Sequence, residues 1–283
     1  MTLESGVTLT NNGFTRTGHT FIGWATSAGG SVVYANGASY THTIASNRTL
    51  YARWTVNSYS IVFHANGGSG TMANQQVNYN QTVTLNSNTF TRQGFRFDGW
   101  ATSAGGAVVY TNGASYTHTI ANNRNLYARW TQWQVGMVGP AGGIVFFDQG
   151  SYHNGWRYME AWTADESGTS QWKRSLTSTP GTEQRIGAGY TNTYSAMTGT
   201  EHPAAAVVRS ATHGGYNDWF LPSRNELNEI YLQRGVIGGF ASADYWSSSN
   251  QSEPSAWYQN FANGNQYYQP KGQSFRVRAV RAF

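Results

Sequence analysis

The 283-residue chain contains no cysteine. That absence excludes disulfides, thiol nucleophiles, iron–sulfur clusters and thiolate-held zinc, so stability must come from packing. Charge is scarce as well: Asp, Glu, Lys and Arg make up 11% of residues, against ~25% in an ordinary globular protein. The 18 basic and 13 acidic residues leave a net charge of +5. No stretch shows several adjacent Lys or Arg, so nucleic acid and membrane surfaces are not indicated as partners. No window approaches the ~18 apolar residues of a spanning helix, so direct membrane insertion is not expected. The start Met1-Thr2-Leu3-Glu4-Ser5-Gly6 lacks the basic and apolar parts of a signal peptide. What the chain has in quantity is 33 Gly, 11 Trp, 18 Tyr and 13 Phe, enough turn-forming and bulky residues for several β-rich units. Its length suggests two or three domains.

An internal repeat organises the first half. Gly23-Trp24-Ala25-Thr26-Ser27-Ala28-Gly29-Gly30 recurs from Gly99 to Gly106, and Leu50-Tyr51-Ala52-Arg53-Trp54-Thr55 recurs from Leu126 to Thr131, both 76 residues on. Within each copy, short strands such as Ser31 to Tyr34 and Leu50 to Trp54 are expected between turns such as Asn36-Gly37. Ser60 to His64, followed by Asn66-Gly67-Gly68, reads as an opening strand of copy two. Copy one has no counterpart, since at that offset it would precede residue 1, and the chain is expected to begin inside a repeat. These copies resemble the Listeria-Bacteroides repeat family over residues 7 to 131, which implies β-grasp-like, surface-displayed spacers. The expected domains are 1–56, an incomplete repeat; 57–133, a second repeat; and 136–283. Trp24, Trp54, Trp100 and Trp130 are expected in cores, and the equivalent His42 and His118 read as copied sequence rather than metal chemistry.

After Trp133, the run Gly136 to Gly143 marks a boundary. Ile144 to Asp148 and Trp156 to Ala161 read as strands. A helix is expected from Pro203 to the Gly214-Gly215 stop, and a second from the capping box Ser223-Arg224-Asn225-Glu226 to Gly235. Strands return at Tyr245 to Ser249, Ala256 to Phe261 and Val277 to Phe283, so the fold class expected is α+β with paired termini. Gly142 to Phe147, Asp218-Trp219-Phe220-Leu221-Pro222-Ser223, Tyr245 to Ser249 and Val277 to Phe283 together resemble the C-type-lectin-like domain of formylglycine-generating-enzyme type. In particular they resemble its bacterial branch, which includes variable proteins of diversity-generating retroelements. That implies a surface domain whose segment of about 250–276 is rewritten to change what it binds.

The residues of that segment divide into two sets. Trp246, Ala256, Trp257, Phe261 and Gly264 read as framework. Ser252, Glu253, Pro254, Ser255, Tyr258, Ala262, Tyr267, Tyr268, Gln269, Pro270, Gly272, Gln273, Ser274, Phe275 and Arg276 are the candidate ligand-binding positions. Tyr supplies broad, fairly rigid contact area, and Ser, Gly and Gln supply adaptable polar contacts. Ordinary cross-strand aromatic pairing is the structural alternative.

Chemistry is otherwise sparse. Formylglycine generation needs cysteines the chain lacks. His202 and His213 are too far apart for an iron-binding triad and are expected at surface or capping positions. Glu253-Pro254-Ser255 and Gln269-Pro270-Lys271 only partly resemble a calcium-lectin loop. Asp165-Glu166 reads as a solvated loop pair rather than a catalytic pair, and Gly187-Ala188-Gly189 as a turn. Arg278 and Arg281 are expected to bond within the fold. The expectation is therefore a non-enzymatic, monomeric, extracellular surface protein with no cofactor or metal, binding a protein or glycan. The alternative is a fixed adhesin or carbohydrate binder without diversification.

Overall fold

The computed structural model describes residues 6–283; the residues read for a signal peptide, apart from Gly6, lie outside it. The chain divides into two compact units between Thr131 and Gln132.

In the first unit, copy one forms β1 (Gly6–Thr8), β2 (His19–Ala25), β3 (Ser39–Thr41) and β4 (Tyr51–Val56). Copy two forms β5 (Ser58–His64), β6 (Gln75–Asn78), β7 (Thr82–Thr84), β8 (Phe95–Ala101), β9 (Ser115–Thr117) and β10 (Arg124–Gln132). The 76-residue offset carries β1, β2, β3 and β4 onto β7, β8, β9 and β10. In copy two a four-stranded sheet runs β6-β5-β10-β8, with β5 parallel to β10. Asn66 and Gly67, at φ 48° and 88°, turn the chain out of β5, the left-handed pair that a tight Asn-Gly turn demands. Ile61, Val77, Leu85, Trp100 and Leu126 fill the core beneath this sheet.

The strand expected over Ser31 to Tyr34 is not formed. All its backbone bonds fall on Trp24: the amides of Val33 and Tyr34 donate to the Trp24 carbonyl, and the Trp24 amide donates to Tyr34. Three bonds to one residue make a bridge, not a ladder, and Val32 and Val33 stay exposed.

The second unit holds β11 (Ile144–His153), β12 (Trp156–Ala161) and β13 (Ser170–Gln171). Next come the short helices α1 (Gly189–Thr191), α2 (Pro203–Arg209), α3 (Arg224–Leu232) and α4 (Arg234–Ile237). The unit closes with β14 (Asp244–Asn250), β15 (Ser255–Asn260), β16 (Gln266–Pro270), β17 (Ser274–Phe275) and β18 (Val280–Ala282). The main sheets are β11-β12-β18 and β14-β15-β16, so the last strand pairs with the opening hairpin as the sequence suggests.

The α+β expectation fails. The chain is 37% strand and 10% helix, a mostly-β protein with several small sheets. Helix signals are present, but turns stop each helix early: α2 ends at Arg209, and Gly214 and Gly215, both at positive φ, bend the chain into a His213–Tyr216 bridge. The strand expected from Val277 shrinks to Val280–Ala282 for a similar reason. Successive backbone groups from Arg276 to Ala279 bond Trp246, Glu166 and Trp162 in turn, so no single neighbour supports a ladder.

Where local chemistry is strong, the elements form as expected. In the capping box, the Ser223 hydroxyl accepts from the Glu226 amide and the Glu226 carboxylate accepts from the Ser223 amide at 2.6 Å. Two buried clusters form this unit's main core, one around Trp172, Trp219 and Trp246 and the other around Phe146, Phe220, Tyr245 and Phe261.

Candidate functional site

The candidate segment wraps the open side of the β14-β15-β16 sheet. β15 is its central strand and β16 its edge, paired from Ser255 opposite Pro270 to Gln259 opposite Gln266. Side chains opposite one another in an antiparallel pair share a face. Tyr268 therefore meets Trp257 on one face, ring centroids 5.6 Å apart, and Tyr267 meets Tyr258 on the other at 5.9 Å. Because β16 is an edge, both of its tyrosines face solvent, Tyr267 at 45% and Tyr268 at 55% exposure. Pro270 ends the strand with no amide to offer, which blunts further pairing at that edge.

The candidates fall into four places. At one end of the sheet, Glu253 and Pro254 in the loop before β15 lie beside Gln269, Pro270, Gly272, Gln273 and Ser274, all exposed, with Ser252 half-buried. Tyr267 and Tyr268 extend this surface along the edge. Ala262 is exposed but sits in the turn at the opposite end of the β15–β16 hairpin, so the structure does not bring it to the rest.

Four candidates lie within the framework. Ser255 and Tyr258 are each only 8% exposed. The Tyr258 ring lies 4.7 Å from Phe275 and 6.1 Å from Trp246, and burial pushes its hydroxyl pKa up. Phe275 is half-buried, 4.4 Å from Trp246. Arg276 gives its guanidinium to Asp165 at 2.9 Å. Ser255 and Tyr258 are thus buried, Phe275 is half-buried, and Arg276 keeps 41% of its side chain exposed while tied to Asp165: alternation along β15 separates Trp257 from Tyr258, but only the three-dimensional cover decides which faces inward.

Backing residues hold the exposed strip in place. The Arg224 guanidinium lies 3.7 Å from the Trp257 ring centre and donates to Gln266 at 2.9 Å. Asn265 donates to the Tyr267 hydroxyl at 2.9 Å. Lys271 is fully buried between the two loops, donating to the carbonyls of Glu253 at 2.7 Å and Thr177 at 2.9 Å. Burial, with Lys173 nearby, pulls its pKa down to about 8. Gly264 turns the hairpin at φ 83°, where a Cβ would strike Tyr231. Sequence reasoning had Gly264 and Trp257 but missed Lys271, whose only signal is an isolated cation between Pro270 and Gly272.

Behind the sheet lies a second anchor. Arg278, fully buried, donates to Asp165 through Nε at 3.0 Å and Nη2 at 2.6 Å. It also bonds the carbonyls of Trp162 and Gly239 and stacks 3.7 Å over Phe240. The Tyr245 hydroxyl reaches the same carboxylate at 2.8 Å, and burial pushes that phenol to about 12. Asp165 is thus an internal counter-ion and not a solvated loop acid. Arg281 likewise bonds within the fold, to Glu160 and Asp218, where burial raises the Glu160 pKa.

The histidines are also internal. His202 is 5% exposed beside Thr179 and Trp172, and burial lowers its pKa. His213 stacks 4.3 Å from Trp162 and meets Glu166 at 2.8 Å. Neither holds the surface or capping role expected of it; the His202 side chain caps nothing. Among the described residues, no group of three or more His, Asp or Glu is placed to hold a metal ion, and no helix is long and apolar enough to cross a membrane. A concavity of about 530 Å³ lies elsewhere on this unit, lined by Trp156, Arg185, Tyr190, Asp218 and Phe220 among others, and includes none of the candidates.

Comparison with known proteins separates the same two parts. Residues 1–53 and 59–129 match the Listeria-Bacteroides repeat domain, and residues 161–281 match the Lcl C-terminal domain. No curated protein matches the chain. Among solved structures, a fimbrial protein from Bacteroides ovatus ATCC 8483 is similar at 12% identity and a TM-score of 0.38, over 87% of this chain and 76% of that one. By these matches the chain joins segments of Listeria-Bacteroides repeat type to a segment of Lcl C-terminal type.

Proposed function

We propose that the second unit is a non-catalytic, monomeric binding module displayed outside the cell on the repeat unit. Its ligand, a protein or glycan, meets the strip formed by Glu253, Pro254, Tyr267 to Pro270 and Gly272 to Ser274. The observation that carries this reading is the pair of half-exposed tyrosines on an edge strand whose partner strand is locked from behind. Aromatic area of this kind, already ordered, contributes binding energy at little entropic cost. The strip is also separable from the core, as a surface rewritten by a diversity-generating retroelement requires.

Sequencing the 3′ end of the gene and its flanks across isolates tests the diversified reading. Variation should concentrate at codons 253, 254, 267–270 and 272–274 and spare 255, 258 and 275, with an adenine-bearing template copy beside a reverse transcriptase gene. An invariant segment with no template copy would reject diversification and leave a fixed adhesin, to be tested for glycan binding with and without calcium.

A further inference from the structure

Six Asn-Gly pairs occur in the chain, beginning at Asn12, Asn36, Asn66, Asn112, Asn154 and Asn263. In such a pair the side-chain amide is open to attack by the next backbone nitrogen, because glycine puts no Cβ beside the reacting atoms. The sequence leaves the six alike, and the fold separates them. The Asn12 side chain closes on Phe14, accepting from its amide and donating to its carbonyl, each at 3.0 Å. Asn36 accepts from the Asn12 amide at 2.7 Å, and at the matching place in copy two Asn112 accepts from the Asn88 amide at 2.8 Å. Asn66 donates to the carbonyls of Ala104 at 2.9 Å and Ala128 at 2.8 Å. Asn263 accepts from the Asn265 amide at 2.9 Å, and the Gly264 amide is itself engaged with Asn260 at 2.7 Å. Asn154 differs: it sits in the two-residue turn between β11 and β12, and among the described residues its side chain has no hydrogen-bond partner. Of the six pairs, this is also the one in which both the Asn and the Gly are exposed. Asn66-Gly67 is its matched comparison. The φ angles are 48° and 88° there and 50° and 86° at Asn154-Gly155, so the two turns share a backbone and differ in what holds the amide.

We propose that Asn154-Gly155 is a self-modification site, at which the folded protein deamidates spontaneously while its other Asn-Gly pairs are protected. The Gly155 nitrogen attacks Cγ of Asn154. The new N–Cγ bond closes a five-membered succinimide, the Cγ–Nδ2 bond breaks, and Nδ2 leaves as ammonia with the proton given up by the Gly155 nitrogen. Water then opens the ring at either carbonyl, leaving aspartate or isoaspartate, and no oxidant or cofactor takes part. The side chains held elsewhere must first break their hydrogen bonds before Cγ can turn toward the attacking nitrogen. The product places a new carboxylate in the lining of the 530 Å³ concavity, which Asn154 shares with His153, Trp156 and Arg185. Its isoaspartyl form also lengthens the backbone within a turn whose flanking residues, His153 and Trp156, are paired. The inference is independent of the binding strip.

The test follows all six pairs in one sample. The full chain is aged in mildly alkaline buffer, with and without denaturing urea, and proteolytic peptides covering each Asn-Gly pair are quantified by mass spectrometry for conversion of amide to acid. In the folded chain Asn154 is expected to convert about tenfold faster or more than Asn66, whose two hydrogen bonds must open first. In urea the six pairs should approach a common rate, since the dipeptide is then the same in each and the fold no longer holds any of them. Conversion of Asn66 or any other pair as fast as Asn154 in the folded chain overturns the proposal. So does a lead of Asn154 that persists undiminished in urea, which would trace it to neighbouring sequence and not to the fold.

Discussion

Tyr258 and Tyr268 are ten residues apart on adjacent strands, and a binding strip built on a stable frame requires their truncations to differ sharply. Tyr258 is 8% exposed and packs against Phe275, Trp246 and Tyr267. Removing a buried aromatic ring leaves a cavity the surroundings only partly refill, so Tyr258→Ala should cost about 3–5 kcal/mol. Tyr268 keeps 55% of its surface in water and has one cross-strand ring contact, with Trp257. Such a pair contributes roughly 0.2–1 kcal/mol, so Tyr268→Ala should cost about 1 kcal/mol or less. Urea unfolding of the full chain, followed by tryptophan fluorescence, reads both. The midpoint of the second unit should fall far more for Tyr258→Ala than for Tyr268→Ala, with similar slopes. Equal losses, or a Tyr258→Ala loss below about 1 kcal/mol, would refute the division into frame and strip.

Two further outcomes follow from the buried charges. Asp165→Ala should destabilise the second unit by about 3–5 kcal/mol, since it leaves the fully buried Arg278 without its counter-ion; chemical denaturation measures it, and a loss under about 1 kcal/mol would show the backbone carbonyls suffice. Glu226 is fully buried, and burial raises its pKa to about 7 against the partial opposition of the amides it accepts from. Between pH 4.5 and 7 the native state holds a proton that the unfolded state has released, so this group's stabilisation is fully present below 4.5 and is lost as pH rises toward 7. The wild type minus Glu226→Gln difference in unfolding free energy should fall across that window by on the order of 3 kcal/mol; a flat difference would contradict the shift.

What the sequence showed clearly was set by neighbours close in the chain. The Ser223 capping box and the Asn66-Gly67 turn rest on contacts within a few residues, and the strand Trp156–Ala161 pairs back onto β11 across a short turn. The exposed strip was legible too, because Gly272, Gln273 and Ser274 offer nothing to bury. What failed depended on distant cover. Tyr258 and Tyr267 are chemically alike, and only the arrival of Phe275 and Trp246 over one of them makes it core. Asp165 looked like a loop acid because its partners Arg276 and Arg278 are more than a hundred residues away. The helical share was overestimated since capping signals mark where a helix starts but not how soon tertiary turns end it.

Lys271 sets a rule of grammar for this surface. Its ammonium spans the carbonyls of Glu253 and Thr177, and its own amide donates to Pro254 at 2.9 Å. The spacing between residues 254 and 271 is thereby fixed by a buried clasp at one end and the Gly264 turn at the other. Letters within the span are free to change wherever they face water, but an added or deleted residue would slide β16 by one place, exchange its two faces and pull the clasp apart. Novelty at this strip can be written by substitution alone, and its length is a constant.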